Sequence, residues 1–311
     1  ALPFLLDPYR TILDGNATAG AAHVRAYTDP LLLEDRPLFV WLVRRLKDLK
    51  LLTFRLIRRG TVGVFTVGKK DGTLRLVFDC RPPNALCRTP PKSQLATPGA
   101  FGLLNVGRGR DDYNGPKAAD FRVHGAAVDW VDSFYQFLWT ELAEYFCLDI
   151  VLTAGEVGID TIWNPTEREY EPIDAGTPIF AALATLPMGW SWSLFFCHSA
   201  LTETMVCAEM RRGLSRTEAE AQILRDKDAA PTLSPDRVVL APYVDNGNIF
   251  AWSAEGCQRS LDCLCDEMRE RGYAFRVEAT PTQRIEVIGL NFDLVGLRVY
   301  NKAKRAWRFR F

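Results

Sequence analysis

The chain has 311 residues, 48% hydrophobic and 24% charged, the proportions of a soluble globular protein with enough length for one large domain or two smaller ones. Thirty-eight Lys and Arg balance thirty-eight Asp and Glu, and a net charge of zero taken alone argues against a nucleic-acid partner. The distribution reverses that: fifteen Lys and Arg face three Asp between Trp41 and Arg110, six basic residues and no acid lie from Arg298 onward, and residues 111–297 carry a net −16. This asymmetry suits a protein that grips phosphates with one part and metal ions with another.

The first residue is Ala, and no basic start precedes an apolar core, which predicts a piece of a longer, intracellular protein (cytoplasm or nucleus) without a visible signal peptide. The uncharged run Ala175–Thr202 is interrupted by Pro178, Pro187, Gly189, Ser191, Ser193 and His198, so it reads as a buried loop and helix, and no membrane partner is expected. None of the eight cysteines falls in a paired C-x-x-C arrangement, and Cys80 and Cys87 lack a matching His pair. Reduced thiols are expected, not zinc.

In chain order, residues 1–37 are irregular. Leu38–Leu52 predicts a helix with Val40, Leu42, Val43, Leu46 and Leu49 apolar and a basic opposite face. Two strands within Arg55–Cys80 turn through Lys69-Lys70-Asp71-Gly72, and Arg81–Pro98 is turn-rich and extended. Val123–Val128 predicts a strand and Ser133–Phe146 a helix with aromatic residues at helical spacing. A loop through Leu186–Ser193 opens a long helix that stops at Gly213, and Ser215 with Glu218 caps a short helix to Asp226. A further helix runs from Ser253 to about Arg271, and Arg284–Asp293 and Leu297–Tyr300 finish as strands. The order predicts an α+β sheet with helices on one face.

Between the apolar runs Val238–Leu240 and Ile249–Trp252 lies Ala241-Pro242-Tyr243-Val244-Asp245-Asn246-Gly247-Asn248, where Asn246-Gly247 predicts a tight hairpin turn. Taken alone, Asp245 is an ordinary turn residue. Far upstream, Asp129 likewise follows an apolar strand-like run, Ala126-Ala127-Val128. Two carboxylates at strand ends can share a divalent metal, provided the fold unites them.

These stretches resemble, in order and spacing, the reverse transcriptase family, from about Val64 to Asp293. Lys69–Asn84 is similar to its fingers hairpin, Asp129-Trp130-Val131-Asp132-Ser133-Phe134 to motif A, and Leu186–Ser193 to motif B. Tyr243-Val244-Asp245-Asn246 is similar to motif C, and Val287-Ile288-Gly289-Leu290 to the strand that supports the primer end. The resemblance implies a right-hand polymerase palm, an antiparallel sheet with helices on one face, plus a fingers subdomain, the thumb being missing. Residues 38–122 would be fingers, with a part returning from about 147–185, residues 123–297 palm, and 298–311 a basic tail leading to the absent thumb.

The implied chemistry is nucleotidyl transfer from a dNTP to a primer 3′-hydroxyl, with Mg²⁺ or Mn²⁺ held by carboxylates. The resemblance assigns Asp129, Asp245 and the carbonyl of Trp130 to metal, with Asn246 beside them. It assigns Lys69, Lys70, Arg75, Asp132, Ser133, Phe134, Met188 and Gly189 to the nucleotide, and Trp190, Ser193, Tyr243 and Gly289 to template and primer. Phe134 would exclude a 2′-hydroxyl, and Asp79, Arg81 and Asn84 would order the fingers. Implied partners are an RNA or DNA template with primer, dNTPs, and the thumb, RNase H and integrase regions of a retrotransposon polyprotein.

The match breaks at Asn246, where the family usually has a second Asp, at Met188 in place of a common Gln, and at Leu194 in place of a frequent Pro. A neutral amide lowers the expected metal affinity. The competing reading is a catalytically impaired module that binds nucleic acid or protein with the same palm. A metal-dependent nuclease is a distant third, since His23, His124 and His198 are isolated.

Overall fold

The computed structural model of the chain describes residues 12–13, 24–69, 72–104, 122–164, 166–296 and 298–301. Its first elements are α1 (Pro30–Glu34), α2 (Arg36–Asp48), β1 (Leu52–Arg55), β2 (Thr61–Gly68), β3 (Leu74–Asp79), α3 (Arg81–Leu86) and α4 (Pro98–Gly102). Next come β4 (His124–Trp130), β5 (Cys147–Leu148), β6 (Leu152–Thr153), α5 (Ala154–Val157), β7 (Thr161–Asn164), β8 (Glu169–Pro172), β9 (Pro178–Leu183), α6 (Ser191–Arg211) and α7 (Arg216–Glu220). The chain continues through β10 (Val239–Tyr243), β11 (Asn246–Ala251), α8 (Ala254–Glu270), β12 (Phe275–Thr282), β13 (Arg284–Val287), β14 (Leu290–Asp293) and β15 (Arg298–Asn301). The class is mixed α+β with several sheets. No helix among the described residues is long and apolar enough to cross a membrane.

Two compact units divide the chain, and both are discontinuous: residues 1–91 with 134–194, and 92–133 with 195–311. In the first, the strands run β1-β9-β5-β2-β3 with β6 also on β9, and β7 and β8 form a separate hairpin. Helix α2 begins two residues before the predicted start because the Asp35 side chain caps it, accepting from Leu38 N at 2.9 Å. Phe39, Val43 and Leu46 are its buried face. The segment after β3 is partly helical (α3), where an extended stretch was expected. Ser133–Phe146 is a correction in the other direction: single 3-10 turns at Ser133–Gln136 and Ala143–Tyr145 replace the predicted helix. The backbone there bonds across the fold instead, Trp139 N to Ala184 O (2.6 Å) and Leu186 N to Phe137 O (3.2 Å), which overrides the helical spacing of its aromatics.

The second unit is built on an antiparallel sheet ordered β10-β11-β4-β12. Side chains alternate between its faces. On one face Gly247 meets Leu201 and Met205 of α6, and α8 packs against β4, β11 and β12. Ala127, Val239, Ala241 and Phe250 belong to the opposite face, in a core shared with Phe101 and with Ile285, Val287, Leu290 and Phe292 of the sheet β13-β14-β15. Both edge strands of the main sheet contain a proline, Pro242 in β10 and Pro281 in β12, where no inner ladder bond is lost. Strand β12 went unpredicted. Its exposure pattern is mostly solvent-facing, and it shifts register twice along β4. The caps were legible: Ser215 and Glu218 form a capping box on α7, and Ser253 caps α8 by accepting from Gly256 N (3.0 Å).

Candidate active site

Strands β10 and β11 are joined by two residues, Val244 and Asp245, with Tyr243 paired to Asn246. The turn therefore lies two positions before the predicted Asn246-Gly247, both of which are in β11. Gly247 serves a different purpose: a Cβ there would lie 2.9 Å from Val128 Cγ2, with Met205 and Leu201 of α6 just beyond. Val244 takes the positive φ of the turn, +58°. A β-branched residue there is strained by about 1–3 kcal/mol, held by the strands on either side.

The ladder fixes what faces what. Asn246 lies opposite Asp129 on β4, and Arg276 of β12 lies opposite Asp129 from the other side. Directly paired residues share a face, so Asp129, Asn246, Tyr243 and Arg276 point the same way. The carbonyl of Asp245 accepts from Trp130 N at 3.0 Å, which pins the hairpin tip beside the end of β4. Two aspartates more than a hundred positions apart thus stand next to one another.

The electrostatics reflect that. Burial first, and the charge of Asp245 second, push the Asp129 carboxyl above the ordinary carboxylate range, and Arg276 offsets only part of this. Arg276 Nη2 donates to Asp129 Oδ2 at 2.7 Å, and its Nε donates to Glu278. Asp245 Oδ1 accepts from Asn246 Nδ2 (2.8 Å), and its Oδ2 accepts from Ser133 Oγ (3.3 Å). Asn246, expected as a catalytic residue beside the metal ligands, directs its amide N–H to the neighbouring carboxylate. Trp130 is buried, and its ring lies 4.3 Å from that of Tyr273. Asp132 is exposed in the following turn, at φ +47°.

The remaining candidates have these settings. Phe134, Met188, Gly189, Trp190 and Ser193 belong to the first unit, as do Lys69 and Arg75, both exposed. Lys70 lies outside the described residues. Gly189 has φ +111°, and a Cβ there would meet the Phe78 carbonyl at 3.0 Å, so the position excludes side chains. Asn84 fastens this loop, donating to Gly189 O (2.9 Å) and accepting from Ser191 N (2.9 Å). Trp190 is buried against Trp139 and Phe146, and buried Ser193 donates to Pro187 O (2.8 Å). Asp79 holds the Arg81 guanidinium through hydrogen bonds of 2.9, 3.1 and 2.6 Å, and this pairing draws its carboxyl below the usual range. Gly289 sits with Ile288 in the two-residue turn between β13 and β14.

Sequence reasoning missed Arg276 and Glu278. Their strand carries no motif, and the weak alternation of Phe275–Glu278 is the signal that could have revealed it. Among the described residues, no three or more His, Cys, Asp or Glu side chains gather into a metal-binding group. All eight cysteines are thiols, and burial pushes Cys147, Cys197 and Cys257 up to about 12.

No family model and no curated protein matches the chain in sequence. Among solved structures, the chain is similar to a foamy viral protease-reverse transcriptase in complex with double-stranded DNA, with a TM-score of 0.53 and 12% identity. The likeness covers 92% of this chain and 38% of that one, so the chain spans well under half the length of its structural neighbour. At this identity the likeness is one of fold.

Proposed function

We propose that the chain is the fingers and palm of a template-directed DNA polymerase of reverse transcriptase type, the first unit being fingers and the second palm. The observation that carries this is the pairing of Asp129 with the Asp245 hairpin at one end of an antiparallel sheet whose fold is polymerase-like. The donor set fits a hard divalent cation such as Mg²⁺: two carboxylates, mutually repelling and partly buried, to which the Trp130 carbonyl would add a third oxygen. Such an ion, when bound, lowers the pKa of a primer hydroxyl and neutralises charge on a triphosphate. Asp129 and Asp245 would hold it, Ser133 and Asn246 would orient Asp245, and Lys69, Lys70 and Arg75 would hold phosphates. Phe134, Met188 and Gly189 would shape the nucleotide site, while Trp190, Ser193, Tyr243 and Gly289 would support template and primer.

Primer extension on an RNA template with dNTPs and Mg²⁺ tests the reading. Asp129→Ala is expected to lower the rate by about two orders of magnitude or more, because it removes a metal ligand. Asn246→Asp is expected to raise it by adding a third carboxylate. Equal background in the parent and both variants would reject polymerase activity. One observation favours the second reading, a module that binds nucleic acid or protein without turnover: Asn246 is neutral and hydrogen-bonded to Asp245. That reading predicts template binding with no extension by any variant.

A further inference from the structure

Arg276 is placed by register, not by chance encounter of surface chains. It is the residue of β12 directly opposite Asp129, so the pleat points both side chains to one face. Its guanidinium lies 2.7 Å from Asp129 Oδ2, on the carboxylate that the proposed metal needs. Two positions along the same strand, where a register shift between Val277 and Ala279 leaves it unpaired with β4, Glu278 binds the Nε of the same guanidinium. The Arg276 side chain is 64% exposed, whereas that of Asp129 is 16% exposed.

We propose that Arg276 is a tethered competitor for the divalent cation: it occupies Asp129 in the resting protein and swings to Glu278 and solvent when Asp129 ligates a metal. This rests on the metal-binding reading above and adds to it a residue that sets affinity. The charge argument is direct. Asp129 and Asp245 together carry −2, and a fixed guanidinium leaves −1 facing an incoming dication. Release is cheap because Glu278 keeps one bond to Arg276 throughout and because the side chain is already largely hydrated. A buried arginine with a single partner could not yield in this way.

Mn²⁺ binding to the full chain, followed by electron paramagnetic resonance, separates the cases. Arg276→Gln is expected to bind Mn²⁺ about twofold to fivefold more tightly than the parent, the size of one partly exposed ion pair. Asp129→Asn is expected to abolish binding in both backgrounds. Arg276→Thr, a residue suited to an edge strand, should reproduce the tightening if the glutamine variant folds poorly by circular dichroism. Unchanged or weaker Mn²⁺ binding by both Arg276 variants, still abolished by Asp129→Asn, would overturn the competition while leaving the metal reading intact. Absence of binding by the parent and every variant would overturn both.

Discussion

His198 on α6 is 7% exposed, and its Nδ1 has no hydrogen-bond partner. Burial lowers it from an ordinary 6.5 to about 4. The unfolded chain therefore takes up this proton near pH 6.5 and the folded chain only near pH 4. Between those values the unfolded state binds more protons, so stability falls as pH drops. The ring borders a cavity of about 240 Å³ that Lys92 and Arg225 also line, so solvent tempers the effect to on the order of 1–3 kcal/mol. Urea unfolding at pH 7 and pH 4.5 checks this: His198→Leu should lose distinctly less stability on acidification than the parent, and parallel losses would absolve the histidine. At this scale legibility was uneven. Asp129 and Asp245 could be found because each ends an apolar run. Arg276 could not, because its meaning arises only once β12 is laid against β4.

Gly247 shows how one element constrains another. Its missing side chain lets α6 approach β11, and a Cβ would press on Val128 Cγ2 at 2.9 Å with Met205 and Leu201 close behind. Gly247→Ala is expected to destabilise the protein by about 1–3 kcal/mol, read as a lowered melting temperature, because overpacking forces either strand or helix to shift. A melting temperature equal to the parent's would mean that α6 yields freely. Elements with their own punctuation were legible: α7 and α8 carry serine caps, and Gly213 and Gly272 follow α6 and α8 at positive φ. The stretch Ser133–Phe146 was not, since its aromatic spacing reflects burial in a core while Trp139 N and Phe137 O bond to the distant Ala184 and Leu186. The hairpin was correctly anticipated, yet its turn was misplaced by the usual preference of Asn-Gly for turns, a preference that packing against α6 overrides.

For the whole molecule, the neutral total conceals fifteen basic residues against three acidic ones between Trp41 and Arg110. If that stretch grips nucleic acid, affinity should fall linearly with salt on logarithmic axes, by about a hundredfold from 50 to 200 mM for some four phosphate contacts. Fluorescence anisotropy with a labelled primer–template measures the slope, and a flat line would remove the electrostatic argument. The two compact units could not be drawn from the sequence, because each is assembled from two separated stretches and no compositional break marks the crossings at 91–92, 133–134 and 194–195. That discontinuity has a consequence for partial chains. Asp129 arrives with the earlier stretch of the second unit, whereas Asp245, Asn246 and Arg276 all arrive with the later one. A polypeptide that stops short of residue 239 lacks three of the four strands of that sheet and, with them, Asp245, Asn246 and Arg276, so the proposed site cannot begin to assemble until the later stretch has been made.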